Sequence, residues 1–238
     1  MIAGDFVHFM PEGLYCPYGD FYIDPRQPVK RAVISHAHGD HAVAGNNEVY
    51  CTSSTMRFMQ VRYGKNAAGT FYTLAYYHKL RLGQVAITFI PAGHMLGSAQ
   101  ILMEYAGVKY LYTGDYKLQA DGSCEPYEFV KADVLITEST FAHPDTRHPD
   151  PVEEIKKLND IELNILLGAY GLGKSQRLIR LINDHAPQKT VLVHHRIMPL
   201  NQVYEQTGFA LGKYQLYSRK LMKQQGGYIY IVPPFTFD

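Results

Sequence analysis

The sequence predicts a mixed α/β protein, and three of its features lead to that expectation. Short apolar or alternating runs bounded by Gly, Pro or Asp fill the first half, as β-strands do. Three histidines and an aspartate crowd into the six residues that follow one of these runs, at 36–41. The second half alternates strand-like and helix-like segments, which is the pattern of a small α/β unit.

Strands are expected in the first half wherever such a run occurs. The predicted strands cover residues 20–24, 32–35, 48–51, 85–90, 99–105 and 109–113. Ala106-Gly107 separates the last two runs, and a two-residue turn of this kind predicts a β-hairpin.

Helices are expected where apolar residues recur at helical spacing. Residues 53–63 have this spacing, and Ser53 or Ser54 can cap the start of the helix. Residues 152–158 carry acids first and lysines last, as the helix dipole favours.

A proline-broken stretch at residues 142–151 predicts an irregular linker. It divides the chain into two expected domains, 1–150 and 151–238. Beyond the linker we expect a strand at 164–167, a helix at 172–184 and a strand at 190–194.

The composition is that of a soluble globular protein, with 46% hydrophobic and 19% charged residues among 238. No apolar run approaches the roughly 18 residues of a membrane span, so no membrane partner is expected. The first residues lack the basic segment of a secretory leader. Cys16, Cys51 and Cys124 are odd in number and widely spaced, which predicts free thiols and a cytoplasmic location.

The cluster at 36–41 reads His-Ala-His-Gly-Asp-His and indicates a metal site. Histidines titrate near neutral pH and repel one another when charged, whereas a divalent metal binds them in the neutral form. The preceding residues 31–35 read as a short buried strand, which places the cluster on a tight loop at the end of that strand. There His36 and His38 can face one metal while Asp40 and His41 face a second.

This His-x-His-x-Asp-His pattern resembles the signature of the metallo-β-lactamase fold, and later segments extend the match. Residues 91–98 around His94 and residues 112–116 around Asp115 are similar to the next two ligand motifs. Residues 133–141 resemble the acidic motif of the β-CASP nuclease branch. Three further segments, at 13–25, 171–182 and 191–208, resemble bacterial DNA-ligase-associated exonucleases and mRNA 3′-end-processing-factor-like proteins of that branch.

The resemblance implies an αββα sandwich with a partial β-CASP-like α/β cap region. It also implies that two metals are held by His36, His38, Asp40, His41, His94 and Asp115. Asp115 would bridge both metals and Asp40 would also orient the attacking water. Glu138 would orient a ligand histidine by accepting a hydrogen bond from the ring nitrogen that does not bind the metal. Alternatively, Glu138 is a simple charge at the end of a strand. Zinc is the expected metal because the ligands are imidazoles and carboxylates. Mn²⁺ and Fe²⁺ are alternatives because no cysteine ligand, which would favour zinc most strongly, is present.

The implied activity is that of a metal-dependent phosphodiesterase, an exonuclease acting on DNA or RNA through a bridging water activated by the metals. DNA-repair or RNA-processing proteins are the expected partners. Two alternatives remain open: a hydrolase of small esters, thioesters or lactams with the same fold, and a relative that binds nucleic acid without cleaving it.

Residues 168–175 also match the phosphate-loop pattern GxxxxGK[ST], after an expected strand and before an expected helix. No later apolar strand ends in the aspartate that normally steadies Mg²⁺, which disfavours a nucleotide hydrolase. Lys174, Ser175 and Arg177 could instead contact a nucleic-acid phosphate at the start of the helix. Plain packing of the strand against the helix is the remaining interpretation.

Two features of the second half bear on the expected activity. Six lysines and arginines but one acid, Glu205, lie between Lys189 and Lys223, interleaved with tyrosines. Such a segment can track a phosphate backbone, or it is merely a solvated face. The family pattern continues with late histidines, and no histidine follows His195 here. The second metal is therefore expected to bind more weakly than the first unless His194 or His195 completes its ligands.

Overall fold

The computed structural model describes residues 4–223 and 226–234, which belong to two compact units, Met1–Ser139 and Thr140–Asp238. The units divide after Ser139 and not after Asp150, so the proline-broken stretch belongs to the second unit. None of the helices in the described part of the chain is long and apolar enough to cross a membrane.

The first unit is built on two sheets. The strands of the six-stranded sheet are β1 (His8–Met10), β2 (Gly13–Cys16), β3 (Phe21–Ile23), β4 (Arg31–Val33), β5 (Asn46–Cys51) and β6 (Ala68–Thr73). They lie in chain order, antiparallel from β1 to β3 and parallel from β3 to β6. The carboxyl ends of the parallel strands β3 and β4 therefore lie side by side, near the middle of the sheet.

The strands of the second sheet are β7 (Lys79–Leu82), β8 (Val85–Pro91), β9 (Ala99–Tyr105), β10 (Val108–Tyr112) and β11 (Val134–Ile136). Their order is β11-β10-β9-β8-β7, with β11 parallel to β10 and the other pairs antiparallel. The predicted hairpin turn is confirmed: Ala106 and Gly107 both have positive φ, of 49° and 81°.

Apolar side chains of both sheets form one core. Phe21 and Val33 from the first sheet lie with Phe89 and Ile101 from the second, and all four are fully buried. Burying this surface is the main favourable contribution to the stability of the sandwich. Two stacked sheets bearing a helix confirm the predicted mixed α/β class.

Helix α1 (Ser53–Tyr63) has the predicted bounds and is the one α-helix among residues 4–139. Met59 from this helix packs with Ile34 and Val49 in a second core, separate from the one between the sheets. The expected caps Ser53 and Ser54 were wrong.

The cap of α1 is Thr52, whose hydroxyl accepts a hydrogen bond from the Thr55 amide at 3.2 Å. The same hydroxyl donates to the carbonyl of Gly97 at 2.7 Å. This threonine thus satisfies the helix start and also ties it to the loop that carries His94.

The second unit contains a parallel four-stranded sheet in the order β12-β15-β13-β14. Its strands are β12 (Ile165–Gly168), β13 (Thr190–Val193), β14 (Gln215–Leu216) and β15 (Tyr228–Val232). Its helices are α2 (Pro151–Lys156), α3 (Lys174–His185), α4 (Met198–Gln206) and α5 (Arg219–Met222). The expected strand–helix alternation is confirmed, and Asp150 caps α2.

Candidate metal centre

The histidine loop begins where β4 ends, in the middle of the six-stranded sheet. Ala37 and Ala42 are buried and anchor the loop, and the amides of His41 and Ala42 both donate to the carbonyl of His38. This turn brings the side chains of His36 and His38 to one side of the sheet edge. Folding of a small apolar framework therefore positions the polar side chains.

Three imidazole nitrogens converge on one point. His38 Nδ1 lies 3.1 Å from His36 Nε2 and 3.1 Å from His94 Nε2, and the three rings are nearly perpendicular to one another. One proton cannot satisfy three nitrogens at once, whereas a single divalent cation can accept a lone pair from each. The donor set fits a metal.

Asp115 lies between this point and the ring of His41. Its Oδ2 atom is 3.7 Å from His36 Nε2 and 3.6 Å from His94 Nε2, while its Oδ1 atom is 3.3 Å from His41 Nε2. One carboxylate thus turns an oxygen toward each of two neighbouring positions. This is the arrangement that a bridging ligand between two metals needs.

Glycines allow the ligand loops to approach one another. Gly114 has φ of +53°, and a Cβ on it would lie 2.7 Å from Ser35 Oγ. Gly93 has φ of +69°, and a Cβ there would lie 2.4 Å from the carbonyl oxygen of Lys117. Both positions combine a left-handed backbone with a close contact, so glycine is required just before Asp115 and His94.

Asp24, which is nearly buried at the end of β3, is a functional residue that the sequence motifs did not reveal. Its carboxylate accepts hydrogen bonds from the Ser35 amide at 2.7 Å, the Ser35 hydroxyl at 2.5 Å and Tyr112 at 3.1 Å. It also accepts from His41 Nδ1 at 2.8 Å. The signal was an aspartate between an apolar strand and Pro25, which reads equally well as a turn.

The contacts of Asp24 indicate which nitrogen His36 and His41 offer to a metal. A carboxylate only accepts, so His41 Nδ1 carries the proton and Nε2 is left as a ligand atom. The Ser35 hydroxyl gives its single proton to Asp24, so it must accept from His36 Nδ1, which lies 3.0 Å away. His36 Nε2 is therefore also free to bind a metal. Asp24, His36 and His41 lie close enough to be a ligand group themselves, but the oxygens of Asp24 are occupied by these donors.

The electrostatics of the first site suit neutral imidazoles. Burial, with the charges of neighbouring histidines, lowers the pKa of His36 well below its ordinary value. Burial and the charge of His38 lower the pKa of His94 to about 4. A metal needs these nitrogens unprotonated, so the protein environment already favours the form that binds.

The second position is electrostatically different. Burial alone would lower the pKa of His41, but hydrogen bonds to Asp115 and Asp24 raise it to about 10. Burial raises the pKa of Asp115, yet the hydrogen bond and charge of His41 leave it below the ordinary value. A metal at this position must displace the proton from His41 Nε2, so binding there releases a proton.

The two predicted catalytic side chains, Asp40 and Glu138, lie outside the closest group of candidate ligands, which is His36, His38, His94 and Asp115. The side chain of Asp40 is 79% exposed, with Oδ2 3.8 Å from His41 Nε2, on the open side of the second position. Glu138 is half-buried, two residues after β11.

The second unit holds the residues predicted to contact phosphate. Ser175 is fully buried, and both its amide and its hydroxyl donate to the carbonyl of Tyr170. The Gly173 amide donates to the side chain of Gln176 at 2.7 Å. These internal bonds occupy the donors that a phosphate loop would offer, whereas Lys174 is exposed over the ring of Tyr170.

No model of a known family matches the chain. It is 34% identical to a "Probable DNA ligase" of Opitutus terrae, over 93% of this chain and 22% of that protein. It is 28% identical to an "RNase J-like protein" of Methanocaldococcus jannaschii, over 66% of this chain and 44% of that protein. The chain thus spans less than half the length of these curated relatives.

The fold is shared with a crystal structure of a protein of unknown function from Enterococcus faecalis, with a TM-score of 0.58 and 16% identity. The alignment covers 84% of this chain and 58% of that one. Three observations indicate the same family: the curated relatives, the two-sheet sandwich, and the convergence of His36, His38, His94 and Asp115. The chain belongs to the β-CASP branch of the metallo-β-lactamase fold family.

Proposed function

We propose that this protein is a metal-dependent phosphodiesterase that cleaves DNA or RNA. The observation that carries the proposal is the convergence of three imidazole nitrogens beside a carboxylate that faces two positions. Two divalent metals held there would supply a Lewis acid for the phosphate and a water of lowered pKa.

The residues of the chain have distinct roles in this proposal. His36, His38 and His94 hold the first metal, His41 and Asp40 contribute to the second, and Asp115 serves both. Asp24 orients both rings through the contacts described above, so that His36 and His41 each direct Nε2 toward a metal position. Asp40 would accept a proton from the attacking water, and its exposure supports this role.

We propose zinc as the metal, with Mn²⁺ or Fe²⁺ as alternatives, since the donors are imidazoles and carboxylates. Among the described residues the first position has three imidazoles, whereas the second has only His41, Asp40 and the shared Asp115. Fewer nitrogen ligands mean weaker binding, so the second metal is expected to leave first on mild chelation.

Nucleic acid is proposed as the substrate because of two features of this chain and its relatives. The relatives include proteins named as a DNA ligase and as RNase J-like. In the second unit, Lys213, Arg219 and Lys220 are exposed near Tyr217. We also propose exonucleolytic action and partner proteins of DNA repair or RNA processing. The reducing cytoplasm is the proposed location, because the three cysteines are buried and free.

The test is incubation of the purified, zinc-loaded protein with end-labelled single- and double-stranded DNA and RNA. Release of mononucleotides from an end supports exonucleolytic action, and internal fragments would instead show an endonuclease. An Asp115→Ala variant should be inactive on every substrate. Hydrolysis of small esters or lactams without nucleic-acid cleavage would overturn the proposal, as would binding without cleavage by fully metallated protein.

A further inference from the structure

Arg62 lies at the rim of the candidate metal centre, although no ligand motif contains it. It is exposed in the last turn of α1, and its Nη1 atom is 3.5 Å from the position that a Cβ on Gly39 would take. Gly39 stands between His38 and Asp40, so the guanidinium lies beside the loop that carries these candidate ligands.

The charge of Arg62 is not neutralised by a neighbour. Among the residues that the structure describes, no carboxylate lies within ion-pair distance of its guanidinium. In contrast, Lys117, two residues after Asp115, is paired with Asp121.

We propose that Arg62 binds a phosphate of the nucleic-acid strand next to the one held at the metal centre. The inference rests on the proposed function and extends it to a specific substrate contact. A guanidinium presents parallel N–H donors that match two phosphate oxygens, and charge-assisted bonds of this kind are strong. The ring of Tyr63, 5.5 Å from the Arg62 guanidinium carbon, supports the orientation of the fork.

The position of Arg62 favours a flanking phosphate over the scissile one. The guanidinium lies near Gly39, which is exposed, whereas His36 is fully buried. In this proposal, a strand whose scissile phosphate lies at the converging imidazoles leaves the centre past Gly39 and Arg62. A substrate that has only one phosphate would not reach Arg62.

The experiment compares the wild-type protein with Arg62→Ala, Arg62→Lys and the control Arg57→Ala, which removes an arginine from the same helix away from Gly39. Binding of a fluorescent single-stranded oligonucleotide is measured by anisotropy in chelator, where cleavage cannot occur. Arg62→Ala should weaken binding about tenfold, the loss of one charge-assisted contact. The slope of log K against log salt should shrink by about 0.7, one phosphate on a single strand. Arg62→Lys should be intermediate and Arg57→Ala unchanged.

Hydrolysis by the zinc-loaded proteins gives an independent measurement. With an oligonucleotide, Arg62→Ala should raise KM and leave kcat nearly unchanged, because the lost contact is made equally before and during reaction. With bis(p-nitrophenyl) phosphate, which has no flanking phosphate, it should match the wild type. Circular dichroism and metal content establish that each variant is folded and loaded.

The outcomes separate this inference from the proposed function. Wild-type binding and salt slope in Arg62→Ala would overturn the role of Arg62 and leave the proposed function standing. Equal losses on the oligonucleotide and on bis(p-nitrophenyl) phosphate would also overturn it, because they would place Arg62 at the scissile phosphate. A wild-type protein that neither binds nor cleaves oligonucleotides would overturn the proposed function and this inference with it.

Discussion

Asp24 shows how a single buried residue determines the chemistry of several others. It accepts from Ser35 and His41, and through the Ser35 hydroxyl it also sets the tautomer of His36. Both candidate metal positions therefore depend on one carboxylate that binds neither metal in this arrangement. Such partners orient ligands and raise their basicity.

Replacing Asp24 with Asn should damage both stability and metal binding. An amide nitrogen would face donors from Ser35 and His41, which costs about 1 to 3 kcal/mol for unpaired buried groups. Urea denaturation and elemental analysis measure the two effects. Asp20→Asn is the matched control, because Asp20 is an exposed aspartate close by whose contacts are with Tyr15 and Arg31. Normal metal content in Asp24→Asn would contradict the orienting role.

The pKa of His41 predicts how the metal-free protein responds to pH. A histidine whose pKa is raised by folding, here from 6.5 to about 10, stabilises the fold below 6.5. That stability is lost as pH rises through the folded value of about 10. Thermal unfolding of metal-stripped protein should therefore show a falling Tm between pH 6.5 and 10. In His41→Asn this decline should be smaller, and an equal decline in both proteins would count against the raised pKa.

Among the structural elements, the loop that carries His94 depends most on backbone geometry. One of its glycines, Gly93, has a left-handed conformation and lies close to the backbone of Lys117. Gly107, in the β9–β10 turn, has a similar φ of +81°, but a Cβ there would meet no described atom within 4 Å. Comparing alanine substitutions at the two glycines therefore distinguishes the free-energy cost of a left-handed backbone from the cost of a steric clash.

Gly93→Ala should destabilise the protein more than Gly107→Ala. The left-handed conformation alone costs about 1 to 2 kcal/mol for a residue with a Cβ. Forcing Cβ against a backbone carbonyl adds about 1 to 3 kcal/mol and should displace His94. Denaturant unfolding would measure the loss of stability, and zinc titration would measure the effect of a displaced His94 on metal binding. Equal effects of the two substitutions would show that the close contact relaxes without cost.

Helices and strands with strong apolar periodicity were predictable from the sequence, and edge strands were not. Helix α1 and strands β8 to β10 have strong apolar patterns that end at clear turn residues, and their predicted positions are confirmed. Strands β1 and β6 are mostly exposed or contain Gly, so pairing with neighbouring strands defines them. The ligand loops were found through their motifs, but Asp24 and Arg62 act through contacts that only the folded chain creates.

In the molecule as a whole, the second unit carries the exposed basic region. Lys213, Arg219 and Lys220 pair with no carboxylate among the described residues. In contrast, the exposed Lys156 and Lys157 of α2 and the turn that follows it are paired with glutamates. The two sets differ in whether their charge is available to a phosphate backbone.

Reversing the charge of this basic region should therefore weaken nucleic-acid binding. Oligonucleotide affinity of the wild-type protein should fall as salt rises, because bound phosphates release counterions. Arg219→Glu with Lys220→Glu should reduce both the affinity and its dependence on salt. The control, Lys156→Glu with Lys157→Glu, should leave them nearly unchanged. Affinity that does not vary with salt would contradict a role for this surface.

If Asp115 is shared by two metals, the metal content of Asp115→Ala should differ sharply from that of the wild type. The carboxylate oxygens of Asp115 face His36 and His94 on one side and His41 on the other. Elemental analysis after equilibration with limiting zinc should show metal lost from both positions, with Asp20→Ala retaining the wild-type amount. Full retention of both metals in folded Asp115→Ala would contradict the account.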